Sequence, residues 1–380
     1  MILLFVLIFF DNKSDENRSV ENKENRAIFI SYIELSKYIK NSNIDISKQN
    51  IKTMIKNIKN LGFNMIILQV RSFSDSIYDS NIYPWSSAIS TSEGVSPGYD
   101  VLKYFIKETH KENMHLHAWI NPYRVRGVED VSTITDSNPA FKYIDTDTLY
   151  VGGGIYYNPA KEEVIDLIVS GVLELVSNYE VDGILLDDYF YPNSDIDVND
   201  YNKYISQNEY LSIEEFRINN INKMVKRVYN VCKKHKKLFG ISPDGNIDNN
   251  YSKNYADVKT WGSTRGYVDY LMPQIYYGFY NETKAFKKVL EEWSDLVTCS
   301  EVDLMIALAF YKVGLVDTYA KSGENEWLDN NDIIMREIIM SRNIKKYNGF
   351  ALFRYDYLFN TNLQTMTTMK EIENMLQILN

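Results

Sequence analysis

Two adjacent carboxylates, Asp187 and Asp188, directly follow the short apolar run 183–186. Neighbouring carboxylates raise each other's proton affinity, and a carboxylic acid that stays protonated near neutral pH can donate to a leaving oxygen. Successive side chains of an extended strand point to opposite faces, so both carboxylates serve one site only if the chain twists or kinks after Asp187. The pair is therefore a candidate for general acid–base catalysis, one use of which is the cleavage of glycosidic bonds.

The chain around this pair alternates short apolar runs with longer segments of helical periodicity, a pattern typical of a parallel sheet built from βα units. Eight such runs, without a glycine-rich nucleotide loop, favour a closed (β/α)8 TIM barrel of the α/β class over a doubly wound sheet. The predicted strands are residues 27–33, 65–70, 115–120, 183–186, 238–241, 270–275, 304–310 and 349–353. The predicted helices include residues 47–61, 101–113, 159–179 and 216–237. We expect one barrel domain over residues 27–372, with the polar stretch 192–213 as an irregular insertion over the mouth.

In a TIM barrel the chemistry is placed at the carboxyl-terminal ends of the strands. Polar and aromatic side chains crowd seven of these ends, and this coincidence carries more weight than any single polar loop residue. Besides the acidic pair, the candidate substrate-binding residues at these ends are Gln69, Arg71, His117, Trp119, Asn121, Tyr189, Asn246, Gln274, Tyr276 and Tyr277.

Composition excludes several classes of protein. Of 380 residues, 45% are hydrophobic and 24% charged, so most of the chain is expected to be globular. The net charge of −10 argues against a nucleic-acid partner bound through its phosphates, and it disfavours docking on anionic lipid. Two cysteines, Cys232 and Cys299, are too few for a disulfide framework or a structural zinc site. We expect neither a cofactor nor a metal.

The N-terminus is expected to be separate from the barrel. Residues 1–10 (MILLFVLIFF) are apolar but too short to span a bilayer, which needs about 20 residues. Their length matches the apolar region of a secretory signal, although a basic leader and an A-x-A-like cleavage site are absent. We interpret them as a signal sequence or its remnant, followed by a polar linker over residues 11–26. This interpretation predicts an extracellular or cell-envelope protein without tight membrane insertion.

Several strings at the predicted strand ends resemble one protein family. QVRSFSDSIYDS, HAWINPYR, DGILLDDYFYP, ISPDGNIDNN and VDYLMPQIYYGF together are similar to the glycosyl hydrolase-like ten family of bacterial envelope barrels, over about residues 27–358. The resemblance implies a glycosidase acting on N-acetylated cell-wall glycan, with peptidoglycan as the expected partner. Relatives include hydrolases of uncrosslinked or peptide-stripped glycan and lytic transglycosylases. One departure follows strand five, where many relatives have Pro-Phe-Gly and this chain has Pro-Asp-Gly-Asn at 243–246.

The resemblance leaves two schemes open for the acidic pair. Hexosaminidases with two consecutive acidic residues after strand four suggest a substrate-assisted scheme. In it, Asp187 orients the 2-acetamido group as internal nucleophile and Asp188 is acid and then base. In a conventional scheme only Asp187 faces the site and Asp188 caps the next element. A third interpretation makes both carboxylates purely structural.

The remaining candidates have a functional and a structural interpretation each. Gln69 and Arg71 suit hydroxyl or lactyl carboxylate recognition, but Arg71 would equally suit a buried ion pair with Asp187 or Asp75. Asn121 and Trp119 would line the floor and platform of the cleavage site. His117 fits a core histidine better than a catalytic one.

The tyrosine pair that follows strand six has two possible uses. Tyr276 and Tyr277 could hydrogen-bond a reaction intermediate, or could pack, and we expect one of the two to pack. Neither use follows from the sequence alone.

Two other functions compete with a glycosidase. A metal-dependent deacetylase would use His115, His117, Asp187 and Asp188 as ligands, although the chain has no HxxxH or HxxEH pair. A non-catalytic glycan-binding barrel would usually lose its acid, whereas both carboxylates are present here. The choice between hydrolase and lytic transglycosylase stays open, because both need the same acid.

Overall fold

The computed structural model describes residues 24–40, 42–207 and 210–379. The strands in these residues are β1 (Asn25–Ile30), β2 (Met65–Arg71), β3 (His115–Ile120), β4 (Arg124–Arg126), β5 (Leu149–Val151), β6 (Ile155–Tyr157), β7 (Gly183–Leu186), β8 (Leu238–Ile241), β9 (Tyr270–Leu271), β10 (Asp303–Leu308) and β11 (Tyr347–Leu352). The α-helices are α1 (Tyr32–Tyr38), α2 (Ile44–Asn60), α3 (Val101–Lys111), α4 (Glu162–Asn178), α5 (Val198–Ser206), α6 (Ile213–Lys234), α7 (Ile247–Ser252), α8 (Val258–Ser263), α9 (Phe286–Leu296), α10 (Glu326–Asp329), α11 (Ile333–Ser341), α12 (Tyr355–Phe359) and α13 (Met366–Leu379).

Eight parallel strands close into a barrel in the order β1-β2-β3-β7-β8-β9-β10-β11, and β11 pairs back onto β1. The predicted (β/α)8 TIM barrel is therefore confirmed, and each predicted strand overlaps one barrel strand. The sixth is the main difference, because β9 ends at Leu271 and not at residue 275. Pro273 lies within the predicted strand and has no N–H to donate to a ladder.

Alternation along the strands decides which side chains reach the mouth. Inward-facing side chains form a small cluster inside the barrel, while the residues between them pack outward against the helices. On β3 the inward series runs His117, Trp119 and then Asn121, one residue past the strand. On β7 it runs Leu185 and then Asp187. Polar residues that continue an inward series therefore lie directly above the apolar interior.

The loops over the mouth differ from the prediction in two ways. Residues 192–213 are not wholly irregular, because they contain α5, whose amphipathic turns pack tyrosines against Phe216. The long segment between β3 and α4 also carries a small antiparallel sheet of order β4-β6-β5, which the sequence did not predict. Strands of three residues are too short to show a periodic pattern.

Both ends of the described chain meet at the barrel face opposite the mouth. Glu24 accepts hydrogen bonds from the Arg342 guanidinium (2.8 Å) and the Tyr347 hydroxyl (2.7 Å), and Arg26 donates to the Leu379 carbonyl. The folded part thus begins before Ala27, and its last helix continues past Ile372. The predicted signal sequence and residues 11–23 of the linker lie outside the described residues. Within those residues, no helix combines the length and apolar character that a membrane crossing requires.

Among the described residues, a buried carboxyl group in the helical layer has no polar partner. Glu337 on α11 is fully buried, and neither carboxyl oxygen has a hydrogen-bond partner among the described residues. Burial raises its pKa well above the usual value, and Glu371 and Glu326 raise it further, against the opposing charges of Arg336 and Lys312. The group is therefore protonated in the folded protein at neutral pH.

We expect Glu337→Gln to stabilise the protein at pH 7 but not at pH 4. The unfolded side chain ionises above a pKa of about 4.3, whereas the folded one keeps its proton, so the wild-type loses stability as pH rises above that value. The amide does not titrate, and the melting temperature should rise by at least about 2 °C at pH 7. Thermal unfolding from pH 4 to 8 measures the difference. Glu291→Gln, at a side chain 61% exposed, is the matched control and should show no such trend. An equal effect of Glu337→Gln at both pH values would contradict a buried neutral acid.

Candidate active site

A cavity of about 320 Å³ opens at the mouth of the barrel, where the strands end. Its lining residues are Phe29, Ser31, Tyr32, Ile33, Gln69, Trp119, Asn121, Arg124, Asp187, Asp188, Tyr189, Ser242, Gln274, Tyr276, Tyr311 and Phe353. The structure thus brings together both members of the acidic pair and six of the ten residues predicted to bind substrate. Four of the predicted residues lie elsewhere.

The chain bends directly after β7, and this bend turns both carboxylates toward the cavity. β7 ends at Leu186, so Asp187 and Asp188 are no longer held in the alternating geometry of a strand. Both residues line the same cavity. A shared role for the two carboxylates requires the chain to bend after Asp187, and the structure shows this bend.

Asp187 is held firmly from the side of β3. Its Oδ2 accepts hydrogen bonds from Trp119 Nε1 (2.9 Å) and from Asn121 Nδ2. Burial raises the pKa of Asp187, and the neighbouring charge of Asp188 raises it further, while Arg124 and the Trp119 donor oppose the rise. Two side-chain donors on Oδ2 fix the orientation of this carboxyl group, and the Tyr189 N–H donates to its Oδ1 (3.5 Å).

Asp188 is held from the opposite side, by the strands that follow β7. Gln274 Nε2 donates to its Oδ1 (3.1 Å), and Ser242 O accepts from the same amide nitrogen (3.0 Å). Burial raises the pKa of Asp188, the Gln274 hydrogen bond lowers it, and the charge of Asp244 raises it. Both carboxyl groups are buried and have raised pKa values. The pair therefore keeps a proton at higher pH than two ordinary carboxylates would.

Arg124 is a cavity residue that sequence reasoning missed. Its Nη2 donates to Asn121 Oδ1 (3.1 Å), and its guanidinium lies over the Phe73 ring at 4.5 Å. Gln69 also donates to Asn121 Oδ1, so two donors fix the amide that in turn donates to Asp187. The HAWINPYR string places Arg124 among the polar residues that follow strand three, but the sequence analysis did not count it among the substrate-binding residues.

Aromatic side chains form the other wall of the cavity. Phe353 contacts the rings of Trp119, Tyr276 and Tyr311 at centroid distances of 6.0 to 6.3 Å. Burial raises the pKa of Tyr276 well above 10, so its phenol is neutral. At the rim, Tyr189 is 50% exposed. Flat rings beside hydrogen-bonding groups suit a ligand with both apolar and polar faces, such as a sugar ring.

Arg71 does not reach the cavity, contrary to prediction. The register of β2 against β3 shifts between Gln69 and Arg71, and this irregularity moves Arg71 out of the inward series. Its side chain is buried, with the guanidinium over the Tyr83 ring at 4.2 Å and close to Gly171 of α4. Among the described residues it forms no ion pair with Asp187 or Asp75 either, so the structure shows neither of the two arrangements expected for Arg71.

His117, Asn246 and Tyr277 also lie outside the cavity lining. His117 is buried in the barrel interior below Trp119, where its Nδ1 contacts the Tyr270 hydroxyl at 2.7 Å. Burial lowers the pKa of His117 to about 4, so it is a neutral core histidine at neutral pH. Asn246 instead caps α7 by accepting from the Asp248 N–H, and Tyr277 packs against the outer core.

The ligands of the alternative metal site are far apart in the fold. His115 lies exposed at the amino-terminal end of β3, where its Nδ1 is 3.6 Å from Asp182. Asp187 and Asp188 lie beyond the carboxyl-terminal end of the neighbouring strand β7. No group of three or more His, Cys, Asp or Glu side chains in the described ranges has the geometry to hold a metal ion.

Comparisons with known proteins agree with this geometry. The family described as Glycosyl hydrolase-like 10 matches residues 24–329. The chain is 30% identical over 357 residues to the glycosyl hydrolase YngK of Bacillus subtilis, covering 87% of this chain and 68% of that protein. It is 32% identical over 343 residues to the glycosyl hydrolase DigH of Escherichia coli, covering 82% and 76%.

Two solved structures share the fold at low sequence identity. The glycoside hydrolase domain of PgaB (BpsB) from Bordetella bronchiseptica has a TM-score of 0.58 at 10% identity, over 93% of this chain and 99% of that one. The catalytic domain of a β-amylase from Paenibacillus polymyxa has a TM-score of 0.57 at 10% identity, over 94% and 98%.

Proposed function

Because the chain belongs to the glycosyl hydrolase-like 10 family, we propose that it is a glycosidase of N-acetylated cell-wall glycan, with peptidoglycan as its substrate. The observation that carries the proposal is the acidic pair: Asp187 and Asp188 line one aromatic cavity, each held by different donors. A glycosidase needs one carboxyl group that gives a proton and a second group that supplies or positions the nucleophile.

The hydrogen bonds suggest how the two carboxyl groups divide these tasks. Trp119 and Asn121 both donate to Asp187, whereas among the described residues Asp188 accepts from one side-chain donor, Gln274, and the charge of Arg124 opposes the raised pKa of both carboxyl groups. An ionised Asp187 can accept the N–H of a 2-acetamido group and orient it. Asp188 then carries the proton that the leaving oxygen requires.

In the proposed reaction, Asp188 protonates the glycosidic oxygen while the acetamide carbonyl oxygen attacks C1 of the sugar. The bond to the leaving sugar breaks, and a cyclic oxazolinium ion forms, which keeps its N–H directed at the Asp187 carboxylate. Asp188, now ionised, takes a proton from the group that opens the ring. Water as that group gives hydrolysis, and the 6-hydroxyl of the muramyl residue gives lytic transglycosylation.

Mass spectrometry of digested peptidoglycan tests the proposal. We expect purified protein to release soluble fragments, with reducing ends from a hydrolase and anhydromuramyl ends from a transglycosylase. Asp188→Asn protein, purified in the same way, is the control that measures any contaminating glycosidase activity. Failure to release anything from peptidoglycan, denuded glycan strands or chitooligosaccharides would refute the proposed substrate class.

The proposed substrate also defines where the protein works. Peptidoglycan lies outside the cytoplasmic membrane, and the apolar residues 1–10 have the length of a signal's apolar region. We therefore place the protein in the cell envelope or outside the cell. Recovery of the native protein only in the cytoplasmic fraction would contradict this location.

A further inference from the structure

A second cavity, of about 480 Å³, lies beside the first at the barrel mouth. Tyr189 lines both cavities and stands between them. The other lining residues of the second cavity are Tyr156, Tyr191, Pro192, Asn193, Ser194, Ser252, Lys253, Asn254 and Tyr255. We call this cavity the side groove. Neither Asp187 nor Asp188 lines this groove, so the reaction described above leaves it unexplained.

The floor of the side groove is built on a buried ion pair. The Arg217 guanidinium donates to both carboxyl oxygens of Asp197, at 2.7 to 3.1 Å, and both side chains are buried. Arg217 Nη1 also donates to the Tyr255 hydroxyl (2.7 Å), and the Tyr191 hydroxyl donates to Asp197 (3.1 Å). The two tyrosine rings meet edge to face at 5.0 Å. Both rings are thus fixed in place before any ligand binds.

The walls of the side groove offer the chemistry that binds sugars. Tyr156 and Tyr189 present partly exposed rings, and the Asn254 side-chain amide makes no hydrogen bond within the described part of the chain. A preformed aromatic floor and rim with a free amide match a pyranose ring, which has apolar C–H faces and hydroxyls at its edge. We propose that the side groove is a second saccharide subsite, which binds the glycan on the leaving-group side of the cleaved bond.

The position of Asp188 determines which side of the cleaved bond the side groove would bind. Asp187 is fixed from β3, whereas Asp188 is fixed by Gln274, which follows β9 on the other side of β7. The side groove is formed mainly by the segment that continues from Asp188 and by residues that follow β8, with Tyr156 of β6 as a further lining residue. The leaving oxygen must lie next to the acid, so the sugar attached to it extends toward this groove. This inference rests on the proposed function, since it uses Asp188 as the acid.

Substrate length provides the test. In the Tyr156→Leu, Asn254→Ala double variant we expect kcat/KM to fall about tenfold on chitohexaose and on denuded glycan strands, the loss typical of an aromatic contact and a hydrogen bond. On an aryl glycoside, whose leaving group is too short to reach the groove, kcat/KM should change less than about twofold, within the scatter of a surface substitution. Tyr210→Leu is the matched control, because Tyr210 is 90% exposed and lines neither cavity.

The outcomes separate this inference from the proposed function. If the double variant keeps wild-type kcat/KM on long glycan, or loses as much on the aryl glycoside, the leaving-group subsite is wrong although the enzyme is a glycosidase. The double variant could also lose the same factor in kcat/KM on aryl glycosides whose sugar part is long and on those whose sugar part is short. That result would likewise place the effect in the first cavity. A wild-type protein that cleaves none of these substrates would refute the proposed function itself.

Discussion

Asp188→Asn is expected to reduce kcat on peptidoglycan by about 10²- to 10⁴-fold, the usual contribution of a general acid. The amide has the shape of the carboxyl group and can still meet Gln274, but it has no proton to give to the leaving oxygen. The fold and the affinity for glycan should remain close to wild type. Initial rates on glycan, together with glycan binding measured by calorimetry, test both parts of this expectation.

A substrate with a good leaving group shows whether Asp188 acts as the acid. An aryl glycoside needs little protonation, so Asp188→Asn should recover much of its rate on that substrate. Asp182→Asn is the matched control, because Asp182 flanks the same strand at the opposite end, where it pairs with His110. Near-wild-type rates of Asp188→Asn on the natural glycan would require the roles of the two carboxylates to be exchanged.

Asp187→Asn should cost at least about 10²-fold in kcat on both natural and aryl substrates. The substitution removes the negative charge that Trp119 and Asn121 help to hold, and with it the acceptor that orients the acetamide. A better leaving group does not replace a badly positioned nucleophile, so the aryl glycoside should rescue this variant less than it rescues Asp188→Asn.

The comparison of the two variants on the two substrates is the decisive measurement for the mechanism. An inert Asp187→Asn and an active Asp188→Asn would favour the conventional scheme with a single working carboxylate. Equal rescue of both variants would show that neither carboxyl group acts through the acetamide.

The sequence predicted the barrel and most of the candidate site because both depend on short patterns. Apolar runs show where the strands lie, and the inward series through Trp119 and through Leu185 leads to Asn121 and Asp187 at the mouth. Arg71 was misplaced because a register shift within β2 leaves no trace in the residue pattern. A strand period of two assigns faces correctly only while the ladder is regular.

Contacts between distant segments were beyond the reach of the sequence. Arg124 lies in the cavity because its guanidinium donates to Asn121 and packs over the ring of Phe73, which belongs to a different loop. The side groove likewise depends on Arg217 of α6 reaching back to Asp197 and Tyr255. Each of these arrangements joins residues that are far apart along the chain, and no local pattern marks such a pairing.

The two ends of the described residues meet at Glu24 and Leu379, and this determines how the barrel would be oriented if it were held on a surface from that side. These residues lie at the amino-terminal face of the barrel, and the acidic pair lies at the opposite face. A tether joined to either end would therefore point the mouth away from the surface that holds it. Immobilised through its N-terminus on a bead, the protein should still reach insoluble glycan in the medium, and a fused domain at either end would leave the entrance clear.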